Sequence, residues 1–64
     1  MSAPVVRLMI ELPEAYAWAF AQFLKRAGVS DYRRLAENEA EGYAMFYAAE
    51  AVREALMQAG CMPR

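Results

Sequence analysis

Few side chains in this sequence could carry out chemistry. The 64 residues include no histidine, the most common general acid or base near neutral pH. The serines, Ser2 and Ser30, therefore lack the usual base that would activate a hydroxyl nucleophile. Cys61 is the single cysteine, so neither an internal disulfide nor a cysteine-rich zinc site can form. We expect Cys61 to be a tail residue without a specific role, and the chain not to be an enzyme.

The carboxylates occur in pairs with helical spacing, Glu37 with Glu41 and Glu50 with Glu54. Such spacing is typical of solvated neighbours on one helix face rather than of a general acid–base pair. Glu37, Glu39 and Glu41 could ligate a hard cation, but acids are also favoured at a helix N-terminus, which is the interpretation we prefer. The three glycines are scattered and form no phosphate-binding loop. The sequence predicts no catalytic site, no metal and no cofactor.

The size and charge of the chain bound the remaining classes of function. Sixty-four residues make one domain, 1–64, and a core this small often depends on oligomerisation for stability. The net charge of −1 gives no general attraction to nucleic acid or anionic lipid. Charges interrupt every apolar run before the roughly 20 residues that a membrane requires, and no signal peptide is evident. We expect a cytoplasmic protein without a membrane partner.

One stretch, residues 5–12, has the alternating pattern of a β-strand. One face is Val6, Leu8, Ile10 and Leu12, and the other is Val5, Arg7, Met9 and Glu11. No other segment resembles a strand, and a lone strand would leave a row of backbone groups unpaired. We therefore expect two copies to pair their strands antiparallel across a two-fold axis. The residues that would form this dimer ribbon are Val6, Leu8, Met9 and Ile10.

Three helices are predicted after the strand. They span residues 13–27, 31–37 and 39–59, and Ser30 is the predicted N-cap of the second. Asn38 followed by Glu41 has the spacing of a capping box, which favours a break before the third helix. Gly42 lies inside that helix, where it could mark a close backbone approach. Gly60 and Pro63 indicate the end of the helix. The predicted fold is mostly α with one N-terminal β-strand, in the order β-α-α-α, as a ribbon-linked homodimer.

Aromatic side chains supply the candidate contact surfaces. The face of the first helix that we expect to be buried carries Tyr16, Ala19, Phe20, Phe23, Leu24 and Ala27. Trp18 lies on another side and is a candidate binding anchor, although burial beneath the third helix is an equal alternative. Tyr43 and Tyr47 form a second apolar surface on the third helix, for a dimer mate or a foreign partner. Arg7 and Glu11, on the outer ribbon face, complete the partner-binding candidates.

The order of strand, Pro13, aromatic helix, Gly28 and Ser30 resembles the ribbon-helix-helix repressors over residues 5–35. In that family paired strands read the major groove of DNA and the second helix grips phosphate. The resemblance implies an alternative function as a DNA-binding repressor. Its DNA contacts would be Arg7, Met9, Lys25, Arg26, Arg33 and Arg34. Glu11 and the net negative charge oppose this function, so nucleic acid is not the partner that we expect.

A second resemblance starts from Ala21-Gln22-Phe23-Leu24-Lys25-Arg26-Ala27-Gly28-Val29-Ser30-Asp31-Tyr32-Arg33. This run is similar to a segment of small phage and prophage proteins of pseudomonads and their relatives. The acidic start of the third helix, the later Glu-Ala-Leu and the terminal Pro-Arg fit the same pattern, so the resemblance covers most of residues 20–64. The resemblance implies a phage-encoded protein that binds and disables a host protein. One such protein is a quorum-sensing anti-activator that binds a LuxR-type transcription factor and a pilus assembly ATPase. We therefore predict a small homodimeric inhibitor or regulator of a host protein, acting in the cytoplasm of the bacterial host.

Overall fold

Three helices follow an extended N-terminal segment. The computed structural model describes residues 4–62. The helices are α1 (Glu14–Arg26), α2 (Val29–Leu35) and α3 (Glu39–Gln58). The roles predicted for Ser2 and Pro63 concern positions outside the described residues. Between α2 and α3 the chain bends at residues 36–38, where the sequence predicts a break.

The predicted β-strand is wrong. Residues 5–12, which we call the arm, are extended, and none of residues 4–62 belongs to a β-strand. The aliphatic face of the arm does not enter a core, because its side chains from Val6 to Leu12 are between 82% and 46% exposed. Alternation marks side chains that favour burial, but a strand also requires a second backbone to complete its ladder. The rest of the described chain offers helices instead.

The correction extends to the dimer architecture predicted from the strand. The ribbon-helix-helix-like ribbon assigned to Val6, Leu8, Met9 and Ile10 is replaced by an arm without ladder hydrogen bonds in the described chain. The observed order is α-α-α rather than β-α-α-α.

The start of α1 follows from Pro13. Its backbone is extended (φ −52°, ψ 142°), and its carbonyl accepts hydrogen bonds from the N–H groups of Tyr16 and Ala17, each at 3.0 Å. Proline suits this position because its own nitrogen has no hydrogen to leave unpaired. Lys25 and Arg26 lie in the last turn, where cations interact favourably with the helix dipole.

The start of α2 is set by Gly28 and Asp31 rather than by the predicted Ser30 cap. The Gly28 N–H donates to Oδ2 of Asp31 at 2.8 Å, and the Asp31 N–H donates to the Gly28 carbonyl at 3.0 Å. Ser30 lies within the helix. The local bond between Gly28 and Asp31 moves the start of α2 two residues ahead of the predicted position.

The start of α3 uses the predicted Asn38 cap. Oδ1 of Asn38 accepts the Glu41 N–H at 2.8 Å. The returning bond is shifted by one residue from a regular capping box, because Oε1 of Glu41 accepts the N–H of Glu37 at 3.0 Å. Together the two bonds fix the bend between α2 and α3.

The end of α3 has the hydrogen bonds of a Schellman motif. The Gly60 N–H donates to the Met57 carbonyl at 3.0 Å, and the Cys61 N–H donates to the Leu56 carbonyl at 2.8 Å. Gly60 has a φ of 101°, which favours glycine over residues with a Cβ. Cys61 is buried, so it is a packed residue rather than part of a solvated tail.

The helices pack through small residues. Both α1 and α2 pack against α3, and the side chains most buried on α1 are Ala21 (1% exposed) and Leu24 (4% exposed). Gly42 of α3 is buried beside α2. A Cβ built there would lie 2.8 Å from Cγ and 3.0 Å from Cα of Arg33. The missing side chain therefore sets how closely α2 and α3 approach.

The predicted inner face of α1 is largely wrong. Tyr16, Phe20 and Phe23 are exposed, whereas Leu24 is buried as predicted. Helical spacing places Ala17, Ala21 and Leu24 on one stripe, and the two alanines allow the backbone of α1 to approach its neighbour. The larger aromatic rings are left on the flank of the helix.

Candidate functional site

A stripe of tyrosines and glutamates runs along α3. Its members, here called the Tyr–Glu stripe, are Tyr43, Tyr47, Glu50 and Glu54. At about 100° per residue they lie within an arc of roughly 60°. Tyr43 is 38% exposed and Tyr47 is 66% exposed. Tyrosine combines a large apolar ring with a polar tip, which makes it a frequent anchor at protein interfaces.

The tyrosines of the stripe are held in place by neighbouring rings. The ring centroids of Tyr43 and Tyr47 are 6.4 Å apart, and those of Tyr47 and Phe46 are 5.7 Å apart. Phe46 in turn lies 6.3 Å from Tyr32 of α2. These separations are typical of favourable aromatic pairs. A continuous path of rings therefore joins the exposed stripe to the packed contact between α2 and α3.

The glutamates give the stripe a negative end. Oε1 of Glu50 lies 4.0 Å from Nη1 of Arg53, with both side chains partly exposed. An ion pair of this length in solvent contributes little, because water screens it. Among the described residues Glu54 forms no ion pair. The carboxylates can therefore meet cations on a partner.

A groove of about 390 Å³ lies between α1 and α2. Its lining combines apolar side chains with two cations and one carboxylate: Ala19, Phe23, Ala27, Tyr32 and Leu35, then Arg26 and Arg34, then Asp31, which lies 4.0 Å from Arg34. The ring of Phe23 stacks on that of Phe20, with centroids 5.6 Å apart and planes at 19°. Leu35 is exposed. The groove offers an apolar surface next to positive charge.

The other predicted partner-binding residues lie apart from the stripe. Arg7 and Glu11 are exposed on the arm. Trp18 is 37% exposed, at the edge between the packed side of α1 and solvent. Tyr43 and Tyr47 alone of the five candidates lie next to each other on one helix. The structure thus separates the predicted contacts into an arm, a helix edge and a stripe.

The cations predicted for DNA binding fall into two groups, those in local ion pairs and those exposed without one in the described chain. Nη2 of Arg33 lies 3.8 Å from Oε1 of Glu39, and Nη2 of Arg34 lies 4.0 Å from Oδ1 of Asp31. Lys25 and Arg26 are exposed at the end of α1. Without the ribbon, Arg7 and Met9 lose the paired strands that would carry them into a major groove.

Two features were missed by sequence reasoning. One is the groove, which depends on the angle between α1 and α2 and therefore on the Gly28 cap. The other is the burial of Cys61, which the spacing of Leu56, Gly60 and Cys61 could have indicated as a helix-ending motif. The described part of the chain contains no cluster of three or more acidic, cysteine or histidine side chains suited to a metal ion. Over residues 4–62, no helix has the length and apolarity needed to cross a bilayer.

Comparison with known proteins identifies a family. A model described as a family of unknown function (DUF7706) matches residues 1–64. The chain belongs to this family. No curated protein and no solved structure matches it significantly. The family description states no function.

Proposed function

We propose that this DUF7706 protein is a small regulator that acts by binding another protein and has no catalytic activity of its own. The observation that carries the proposal is the Tyr–Glu stripe of α3. It exposes two neighbouring tyrosines, Tyr43 and Tyr47, on a helix whose other side is packed. Such a surface supplies rigid contact area without the entropy loss of ordering a loop.

The partner that fits the stripe is a protein with an apolar pocket beside a basic patch. The rings of Tyr43 and Tyr47 would fill the pocket, and the carboxylates of Glu50 and Glu54 would face the cations. Basic patches are typical of surfaces that bind nucleic acids or nucleotides. A regulator that covers such a surface would inhibit its partner by competition.

The identity of the target is proposed from the resemblance of most of residues 20–64 to small phage and prophage proteins. On that basis the chain is phage-encoded and acts on a protein in the cytoplasm of a bacterial host. A LuxR-type transcription factor is the first target to test, because its DNA-binding surface has the charge that the stripe requires. A pilus assembly ATPase is the second.

The test is a binding titration of each purified target on the immobilised chain. The double variant Tyr43→Ala/Tyr47→Ala should weaken target binding by about 30-fold or more, the loss typical of a hot spot. Tyr16→Ala removes another exposed tyrosine, outside the stripe, and should change the affinity by less than about threefold. Glu50→Lys/Glu54→Lys should slow association and reduce its dependence on salt.

Equal binding by the wild type and the double tyrosine variant would contradict the proposed surface. If neither target binds, the same variants should be compared in affinity capture from bacterial lysate with identification by mass spectrometry. Recovery of duplex DNA instead, with steep salt dependence and weakening by Arg7→Ala, would favour the alternative of a DNA-binding repressor.

A further inference from the structure

The arm and the α1–α2 groove are both apolar, and both are uncovered in the described chain. We propose that a second copy of this chain covers them, with the arm of each copy lying in the groove of the other. This inference goes beyond the proposed function, because it needs no foreign partner and does not use the Tyr–Glu stripe.

The exposed area indicates that the chain is incomplete as a monomer. Its accessible surface is 5625 Å², whereas a folded monomer of 7.2 kDa exposes about 4100 Å². The excess of roughly 1500 Å² is more than the about 800 Å² per partner that a standard interface covers. A dimer that covers the arm and the groove would bring the exposed area towards the ordinary range.

The dimensions of the arm match those of the groove. From Ala19 to Arg26 the groove follows α1 for about 10 Å. In an extended chain Val6, Leu8 and Ile10 point to one side and span about 13 Å. These three aliphatic side chains can therefore lie along the groove together, while Arg7 and Met9 point away from it.

Charge favours the same arrangement. Arg26 lines the groove and forms no ion pair within residues 4–62. Glu11 of the arm likewise has no ion pair there and follows the aliphatic residues by one position. Glu11 lies on the same side of the arm as Arg7 and Met9, so with Ile10 at the end of the groove its carboxylate would approach the guanidinium of Arg26 from the rim rather than from inside the groove.

The junction with α1 favours exchange between copies over folding back onto the same chain. Pro13 has an extended backbone, and the chain from residue 4 to residue 13 contains neither turn nor bend. Folding back would require a sharp reversal next to a residue whose φ is fixed by its ring. An arm that leaves the helix extended reaches a neighbouring molecule without that reversal.

The test is sedimentation equilibrium of the full chain and of matched variants. The wild type should be a dimer, and Leu8→Asp should raise the dimer dissociation constant by at least about tenfold, because it places a charge in an apolar groove. Leu35→Asp, which changes the exposed groove wall, should do the same. Met9→Asp is the matched control, since Met9 is on the opposite side of the arm, and should leave the dimer intact.

These measurements distinguish a failure of the proposed dimer from a failure of the proposed regulator function. Tyr43→Ala/Tyr47→Ala should remain dimeric, so loss of target binding by that variant with the dimer intact would test the stripe alone. Helical circular dichroism of every variant shows whether it is folded. A monomeric wild type, a dimer that survives both Leu8→Asp and Leu35→Asp, or equal dissociation by Met9→Asp would overturn the exchanged arm.

Discussion

The arm and the α2–α3 pair differ in how their apolar content relates to their packing. The arm has the most regular aliphatic pattern in the sequence, yet its side chains are exposed. The contact between α2 and α3 depends on Gly42, which has no side chain at all and is buried against Arg33. A close contact between helices thus occurs at a residue without a side chain, whereas the regular aliphatic pattern of the arm is left exposed.

This difference shows what a hydrophobic pattern does and does not specify. A pattern identifies side chains that favour burial, but it does not identify the surface that covers them. Small residues such as Ala21 and Gly42 determine how closely helices approach, and hence which faces remain open. Substitutions in the packed helices and in the arm test this difference.

Leu24→Ala should destabilise the protein by about 2–4 kcal/mol, because it leaves a cavity beside a side chain that is almost fully buried. Leu8→Ala, in the exposed arm, should change the stability of the monomer by less than about 0.5 kcal/mol. Urea unfolding followed by circular dichroism at several protein concentrations measures both. Leu8→Ala should lower the free energy of unfolding only at concentrations where the protein is dimeric. Similar losses of stability from Leu24→Ala and Leu8→Ala at low concentration would contradict the difference between the packed helix and the arm.

Gly42→Ala should destabilise the protein by about 1–3 kcal/mol, because the added Cβ would overlap Arg33. Alanine has the higher helix propensity, which favours the variant locally. We expect the steric overlap to outweigh this gain. Ala44→Gly, at an exposed position of the same helix, should destabilise the protein by about 1 kcal/mol and measures the difference in helix propensity between alanine and glycine. Thermal unfolding of both variants is the measurement, and a more stable Gly42→Ala would show that α2 and α3 are not in close contact.

Gly60→Ala should destabilise the protein by about 1 kcal/mol, since Gly60 has a φ of 101° and alanine is strained in that region. Open space surrounds the position, with no described atom within 4 Å of where a Cβ would lie, so the loss would come from the backbone alone. Gly60→Asn, which tolerates a positive φ better, should recover part of the stability in the same unfolding experiment. Equal stability of all three proteins would argue against the Schellman ending of α3.

Tyr32→Phe should have the smallest effect, a gain of less than about 1 kcal/mol. The hydroxyl of Tyr32 is buried and has no hydrogen-bond partner within residues 4–62, so its removal relieves a desolvation penalty. The ring contact with Phe46 is kept. Differential scanning calorimetry can resolve the expected rise in Tm. A clear fall in Tm would mean that the hydroxyl is hydrogen-bonded in solution.

The helices and their ends were largely predictable, because their signals are local. Asn38 caps α3 and Gly60 ends it, as their side-chain chemistry and backbone freedom indicate. The start of α2 was displaced because the bond from Gly28 to Asp31 competes with a Ser30 cap. Each of these features depends on residues within five positions of one another.

The strand, the buried face of α1 and the groove could not be predicted in the same way. A strand depends on a partner backbone, which no pattern within residues 5–12 supplies. On α1, the stripe of Ala17, Ala21 and Leu24 competes with the larger aromatic stripe, and close backbone approach favoured the smaller residues. The groove depends on the relative orientation of two helices, which is a property of the whole packing.

In the proposed dimer the arm of one copy covers the groove of another. The most direct test replaces Leu8 with a benzophenone-bearing amino acid and irradiates a mixture of ¹⁵N-labelled and unlabelled chains. Mass spectrometry should find crosslinks between a labelled and an unlabelled chain, joining the arm to peptides that contain Phe23 or Leu35. Crosslinks confined to single chains, or directed to surfaces other than the groove, would contradict the exchanged arm.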